Sequence, residues 1–271
     1  MRRRLSALEI PARYGTTALI TGASSGIGAS FARRLAAEGV MTLVLVARRT
    51  DRLSEIQQEL GEKHGCTCIP VGLDLAKPDA IDQLCSIVDA HQLNVDVVVN
   101  NAGFGLLGAL EDIAADRLGA MVDLNCRAVA AIAHRFLPGM KQRRRGAMVI
   151  TSSVVGAIPT PWFSVYAATK SFDLYLGEAL HAECRGSGVD VVTVLPGLTK
   201  TEFHAGLGPR EYHAPYRSSE QVVESALRAL GVRSIVVDGW LNKVLVHGMR
   251  FLPRGAALGL SRIVMRKELG I

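Results

Sequence analysis

The chain has 271 residues, 49% of them apolar and 21% charged, with a net charge of +6. That content suits one large α/β domain or two small ones and excludes a disordered chain. No apolar run reaches the ~20 residues of a membrane-spanning helix, and five scattered cysteines without a C-x-x-C spacing point to reduced, mostly buried thiols in a cytosolic protein.

Residues 1–15 open on Met1-Arg2-Arg3-Arg4, lack the apolar core of a secretory signal and read as a loose arm. The first strand ends in Ala18-Leu19-Ile20. Thr21-Gly22-Ala23-Ser24-Ser25-Gly26-Ile27-Gly28 follows, and then a helix from Ala29 to Glu38. Glycines in such a turn permit positive φ and close approach of a ligand, while the first amides of the helix face an anion. Met41 to Ala47 is apolar apart from Thr42, as a parallel strand covered on both faces requires. It ends in Arg48-Arg49-Thr50-Asp51, and a polar helix runs to about Lys63.

Cys66 to Leu73 is a third strand with Asp74 at its end, and the next helix starts near Pro78 and carries Ile81, Leu84, Ile87 and Val88. Val95 to Val99 is a fourth strand, closed by Asn100-Asn101-Ala102-Gly103. A long helix from about Asp116 to Leu137 is expected to stop at Pro138-Gly139. Ala147 to Thr151, ending in Ser152-Ser153, and Val189 to Leu195, ending in Pro196-Gly197, are the fifth and sixth strands, with a helix from Ser164 to Cys184 between them. Ile235 to Val237 is a seventh.

This alternation calls for a single α/β domain over residues 16–239, a doubly wound parallel sheet with helices on both faces. Gly22, Arg48, Asp74, Asn101, Ser153 and Pro196 should share the carboxyl edge, where such sheets bind ligands. Residues 198–219 are too long for an ordinary connection and suit a substrate lid. From Arg228 onward, eight Lys or Arg stand against two acids. Within residues 240–271, Leu241, Val244, Leu245, Met249, Phe251 and Leu252 mix with Lys243, Arg250, Arg254, Arg262, Arg266 and Lys267, and Pro253-Arg254-Gly255 divides two helices. This basic amphipathic extension is expected to pack on the body or a partner subunit, with an anionic membrane surface as the alternative. The seven histidines have no zinc-site spacing, so no metal site is expected.

Tyr166 and Lys170 are four apart on a helix, so they share a face, and the ammonium is expected to lower the phenol's pKa. Such a tyrosine can exchange a proton with a substrate oxygen. Ser153 can hydrogen-bond the same oxygen or cap the following turn, and Ser152 competes for either role. Asn125 is either a satisfied buried amide or a link from the lysine to solvent through water.

Together these pieces resemble the short-chain dehydrogenase/reductase family from about Thr16 to Val237. The matching residues are Thr21 to Gly28, Asp74, Asn100 to Gly103, Asn125, Ser153, Tyr166-Ala-Ala-Thr-Lys170 and Pro196-Gly-Leu-Thr-Lys-Thr201. The resemblance implies a Rossmann-like sheet of seven parallel strands and a catalytic tetrad of Asn125, Ser153, Tyr166 and Lys170. It also implies a nicotinamide cofactor held by Gly22, Ser24, Ser25, Gly26, Ile27 and Gly28, with Asp74 and Leu75 near the adenine. Asn101 would stabilise the central strand near the cofactor, Ala102, Gly103, Tyr166, Pro196 and Gly197 would also contact it, Lys170 would bind the nicotinamide ribose, and Leu198 and Thr201 would hold the carboxamide. A homodimer or homotetramer is implied as well.

NAD enzymes place an acid after the second strand, where this chain has Arg48-Arg49, so NADP(H) is expected. Arg48, supported by Ser24, is the first choice for the 2′-phosphate, with Arg49 solvated. An NADPH-dependent ketone reductase, reversible as an alcohol dehydrogenase, is the leading reading. Ile158, Pro159, Trp162, Phe163, Phe203, Tyr212 and Tyr216 suit an apolar, aromatic or lipid-like substrate. A nucleotide-binding regulatory protein without useful turnover is the rival, against which the intact tetrad argues. Nucleic acid binding is not expected, because the basic residues come without a binding motif.

Overall fold

The computed structural model of the chain describes residues 9–203, Leu207 and 216–270; Tyr212 and half of the expected lid lie outside them. The helices are α1 (Glu9–Tyr14), α2 (Gly26–Ala37), α3 (Thr50–His64), α4 (Ala80–Ala90), α5 (Ala115–Val122), α6 (Ala128–Gln142), α7 (Ser164–Glu183), α8 (Ser219–Ala229), α9 (Trp240–Phe251) and α10 (Arg254–Leu269). The strands are β1 (Thr17–Thr21), β2 (Thr42–Ala47), β3 (Thr67–Gly72), β4 (Val97–Asn100), β5 (Gly146–Thr151), β6 (Val189–Leu195) and β7 (Ile235–Val237). They form one parallel sheet in the order β3-β2-β1-β4-β5-β6-β7. The winding reverses between β1 and β4, which opens a crevice at their carboxyl ends.

The apolar strands are buried on both faces. On one face Phe31 and Leu35 of α2, Leu53 and Leu60 of α3, and Val222 and Leu227 of α8 pack against Ile20, Leu45 and Val149. On the other, Leu84 of α4 and Ile132, Phe136 and Met140 of α6 pack against Val44, Val98 and Met148. Pro70, which cannot donate to a ladder, sits in the edge strand β3, where this costs little.

Three expectations change. Residues 9–14 are not loose: Ile10 and Tyr14 are buried, and Arg13 and the Tyr14 hydroxyl both bond the Asp190 carboxylate, at 2.6 and 3.0 Å. Helix α6 continues through Pro138 to Gln142, because burial of Leu137 and Met140 outweighs the one backbone hydrogen bond that proline forgoes. The helix expected to run unbroken from Asp116 is instead interrupted at Asp123–Arg127 by a π turn, with Asn125 inside it. Such turns re-aim side chains within a helix.

Pro253 does divide two helices. Helix α9 is tied to the body: Val246 packs with Leu195 and Val237, and Asn242 donates to the Asp238 carbonyl at 2.7 Å. Asp238 is wholly buried, receives the Arg217 fork at 2.9 and 3.0 Å and the Ser225 hydroxyl at 2.6 Å, and so joins β7 to the segment before α8. The outer side of α9 is bare, with Trp240 69% and Phe251 88% exposed beside Leu241, Val244 and Leu245. Among the described residues no helix is long and apolar enough to cross a membrane, and no three His, Cys, Asp or Glu side chains converge as metal ligands.

Candidate active site

The glycine turn is built by close approach. Gly22 and Gly26 take φ of +67° and +52°, and a Cβ on Gly28 would come within 2.2 Å of the Gly22 carbonyl oxygen. Just past β4, Asn101 braces it: its Nδ2 donates to the Thr21 carbonyl at 3.0 Å, and the Asn101 and Ala102 amides donate to the Thr21 hydroxyl at 2.9 and 3.0 Å. Ser25 precedes α2 without capping it through its side chain, and no acid occupies the first turn, so the leading amides and the positive end of the dipole suit a pyrophosphate. Thr201 rests against Gly26, 2.9 Å from where a Cβ would stand, so the segment after β6 approaches the same turn.

Arg49 is exposed, as expected, but also paired. One guanidinium nitrogen lies 2.6 Å from Glu202, and another donates to Ser25 and Ser24 at 2.8 and 3.2 Å. Arg48 is exposed and pairs with no acid among the described residues. Asp74 accepts from the Ala76 amide at 3.2 Å beyond the end of β3, with Leu75 buried beside it. Leu198 and Lys200 form backbone bonds with Arg217, and Asn242 of α9 packs where a side chain on Gly197 would stand. Pro196 accepts from the Val154 amide at 3.0 Å.

On α7, Tyr166, Lys170, Asp173 and Gly177 follow at spacings of four, three and four, so all lie on the side turned to β5 and β6. Tyr166 is 6% exposed, stacks on Phe163 with ring centroids 4.4 Å apart and meets Phe203 at 5.4 Å. Lys170 Nζ donates to the Thr151 carbonyl and to Asp173 Oδ2, both at 2.8 Å. A Cβ on Gly103 would lie 3.5 Å from that nitrogen, which places the Asn100–Gly103 turn beside it.

The two serines divide cleanly. Ser152 is buried and donates to the Lys170 carbonyl at 2.6 Å, while Ser153, close enough to Tyr166 to pull its pKa down, donates to the Pro196 carbonyl at 3.4 Å and caps the 3-10 turn Val154–Ala157, accepting from the Val155 amide at 3.4 Å. Asn125 is a satisfied buried amide. Its Nδ2 donates to the Phe104 carbonyl and the Thr169 hydroxyl, both at 3.0 Å, and its Oδ1 accepts from the Phe104 amide at 3.2 Å.

Burial pushes the Tyr166 phenol above its ordinary value; Lys170 and Ser153 pull the other way, and Asp173 adds to the rise. The lowering expected from the ammonium is therefore outweighed by desolvation. Burial also works against the Lys170 ammonium, but Asp173 and Tyr166 together hold its pKa above the usual lysine range. Asp173 was invisible to motif reasoning. Its signal was an acid on the same helical face as Tyr166 and Lys170, otherwise flanked by Phe172 and Leu174.

Of the expected substrate walls, Phe163 and Phe203 flank Tyr166, Ile158 is buried in the body, Trp162 takes a φ of +58°, and Pro159 is exposed. Tyr166, Ser153 and Lys170 thus meet beneath an apolar rim at the carboxyl edge of the sheet.

Residues 16–211 match the short chain dehydrogenase family. The human very-long-chain 3-oxoacyl-CoA reductase is 30% identical over 243 residues, covering 87% of this chain and 73% of the relative. A solved 7β-hydroxysteroid dehydrogenase superposes with a TM-score of 0.85 at 27% identity, covering 93% of this chain and 98% of its own. A short-chain dehydrogenase from Sphingobium yanoikuyae in complex with NADPH gives a TM-score of 0.78 at 32% identity, covering 90% and 94%.

Proposed function

The chain belongs to the short chain dehydrogenase family and interconverts C=O and CH–OH groups, and from that premise we propose that it is an NADPH-dependent reductase of apolar ketones. The observation that carries this reading is the meeting of Tyr166, Ser153 and Lys170 under Phe163 and Phe203, next to the glycine turn. Bound NADPH supplies the hydride. Ser153 donates a hydrogen bond to the substrate carbonyl and orients it, and Tyr166 gives its phenolic proton to the same oxygen as the alcohol forms. Lys170, tethered to Thr151 and Asp173, holds positive charge below the phenol and compensates the phenolate left behind. Asn125 keeps the Phe104 backbone against Thr169 and so shapes the floor of the site.

The relatives support the substrate class in a general way, since one is described as acting on very-long-chain 3-oxoacyl groups and another on hydroxysteroids. Both are large and mostly apolar. NADPH oxidation measured against ketones graded by chain length and ring size should give kcat/KM values that rise with apolar bulk. Turnover confined to small polar carbonyls would overturn the substrate assignment.

Arg48 takes the 2′-phosphate of NADP(H) in this reading, with Ser24, while Arg49 draws Ser24 and Ser25 toward the end of β2. A hydrogen bond to a charged group is worth about 1.5–3 kcal/mol, so Arg48→Asp should cut kcat/KM with NADPH by about 10- to 100-fold and narrow or reverse the preference over NADH. Equal loss with both cofactors would sink the assignment.

The bare outer side of α9 fits a homodimer or homotetramer, in which a second copy removes Trp240, Val244 and Phe251 from water. Light scattering should find an oligomer that Val244→Ser with Phe251→Glu weakens. Vesicle flotation lost in the same variant, without a change in mass, would point to an anionic membrane instead.

A further inference from the structure

We propose that Asp173 is a positioning residue of the proton-donating pair: its carboxylate fixes the Lys170 ammonium beneath Tyr166 and offsets the charge by which that ammonium would ionise the phenol. The inference rests on the reading of Tyr166 as proton donor.

An acid has no packing reason to be where Asp173 is. Its residue is 0% exposed, on the helix face turned to the sheet, and an unpaired carboxylate there would be strongly disfavoured. One oxygen, Oδ2, lies 2.8 Å from Lys170 Nζ, while Oδ1 makes no hydrogen bond. The carboxylate is thus committed to the lysine. Lys170 has a second anchor in the Thr151 carbonyl, and its own carbonyl accepts from Ser152, so the side chain is held from two directions. One turn farther on, Gly177 admits Thr193, whose Oγ1 would stand 1.8 Å from a Cβ. This lets α7 sit close against β6 and keeps Asp173 from reaching water.

Among the described residues, the surroundings leave the Lys170–Asp173 pair as the local control on Tyr166. From the π turn Cys126 faces it, with a thiol that burial pushes up to about 11 and that is therefore neutral. Asp123 and Arg127 of that turn pair with each other at 2.8 Å. The 3-10 turn Val154–Ala157, β5 and β7 carry no ionisable side chain. Asp190 of β6 is committed to Arg13, and Asp116 and Arg117 of α5 are exposed. A lone ammonium one turn from a phenol favours the phenolate; an ammonium neutralised at 2.8 Å does so far less. The consequence is a site biased toward carbonyl reduction, the direction that consumes a phenolic proton.

The test compares Asp173→Asn with the wild type in two readouts. One is the pH profile of kcat/KM for NADPH-dependent reduction. The other is the tyrosinate absorbance of the cofactor-free protein, with a Tyr166→Phe titration subtracted to isolate Tyr166. The expected result is that the alkaline limb and the Tyr166 absorbance step both move down by about one pH unit or more, while Asp173→Glu restores the limb toward its wild-type position. Asp173→Ser, smaller and equally neutral, carries the same expectation should Asp173→Asn fail to fold. A lowered rate with limb and absorbance unmoved overturns the inference. Should Tyr166→Phe itself retain full turnover, the functional reading fails instead, so the two failures are distinguishable.

Discussion

Replacing Tyr166 with Phe is expected to lower kcat by about 10²- to 10⁴-fold, the usual contribution of a positioned general acid, while NADPH affinity stays close to that of the wild type. The phenyl ring that remains keeps the stacking on Phe163 and the contact with Phe203, so the walls and the fold survive the change. What is lost is the hydroxyl that gives its proton to the substrate oxygen. Steady-state oxidation of NADPH and a fluorescence titration of NADPH binding separate the two effects; turnover within threefold of wild type would refute the role given to Tyr166. The sign of the pH dependence follows from the same side chain. Burial holds the phenol above its ordinary value, so it is protonated throughout the neutral range. Reduction needs that proton, and should run on a plateau through neutral pH and fall on the alkaline side. Alcohol oxidation needs the phenolate and should climb over the span where reduction falls.

Gly28→Ala is expected to destroy the cofactor turn. Its methyl group would stand 2.2 Å from the Gly22 carbonyl oxygen, 2.7 Å from the Gly22 carbonyl carbon and 2.8 Å from Asn101 Nδ2. Two of these are backbone atoms, and the third is tied to the Thr21 carbonyl. None can yield cheaply. The turn must open, which separates the first amides of α2 from the end of β1, and NADPH affinity should fall by at least about 100-fold. Overpacking of this kind costs about 1–3 kcal/mol, so Tm should drop by about 2–12 °C. Gly119→Ala is the control, because nothing lies within 4 Å of its added Cβ and the position is helical. It should leave NADPH binding unchanged and raise Tm slightly. If Gly28→Ala behaved like Gly119→Ala, the close packing described for the turn would be wrong.

Much of the architecture was legible because its signals are local. A strand covered on both faces reads as a mostly apolar run, and β7 begins and ends where Ile235–Val237 place it; β6 does so at Val189–Leu195 even with Asp190 and Thr193 inside it. Pro253 marked the break between α9 and α10 because proline cannot continue a preceding helix without losing a bond. Where the signal was a balance of local and distant terms, local reasoning failed. Pro138 looked like a stop, yet the burial of Met140 carries α6 past it.

By itself the sequence determined the α/β alternation, the glycine turn, the four-residue spacing that brings Tyr166 and Lys170 to one helical face, and the order of these pieces along the chain. Each depends on a backbone repeat of 3.6 or 2 residues, or on one residue's conformational freedom, and so is written in neighbouring letters. Tertiary structure alone decided which of two adjacent serines faces the phenol, that Arg49 closes on Ser25 and on Glu202 across 153 positions, and that desolvation outweighs the ammonium at Tyr166. It also decided that Asp173 is shut in with Lys170. Burial and charge partners are set by segments far apart in the chain, and no local spacing can state how much water a side chain has lost.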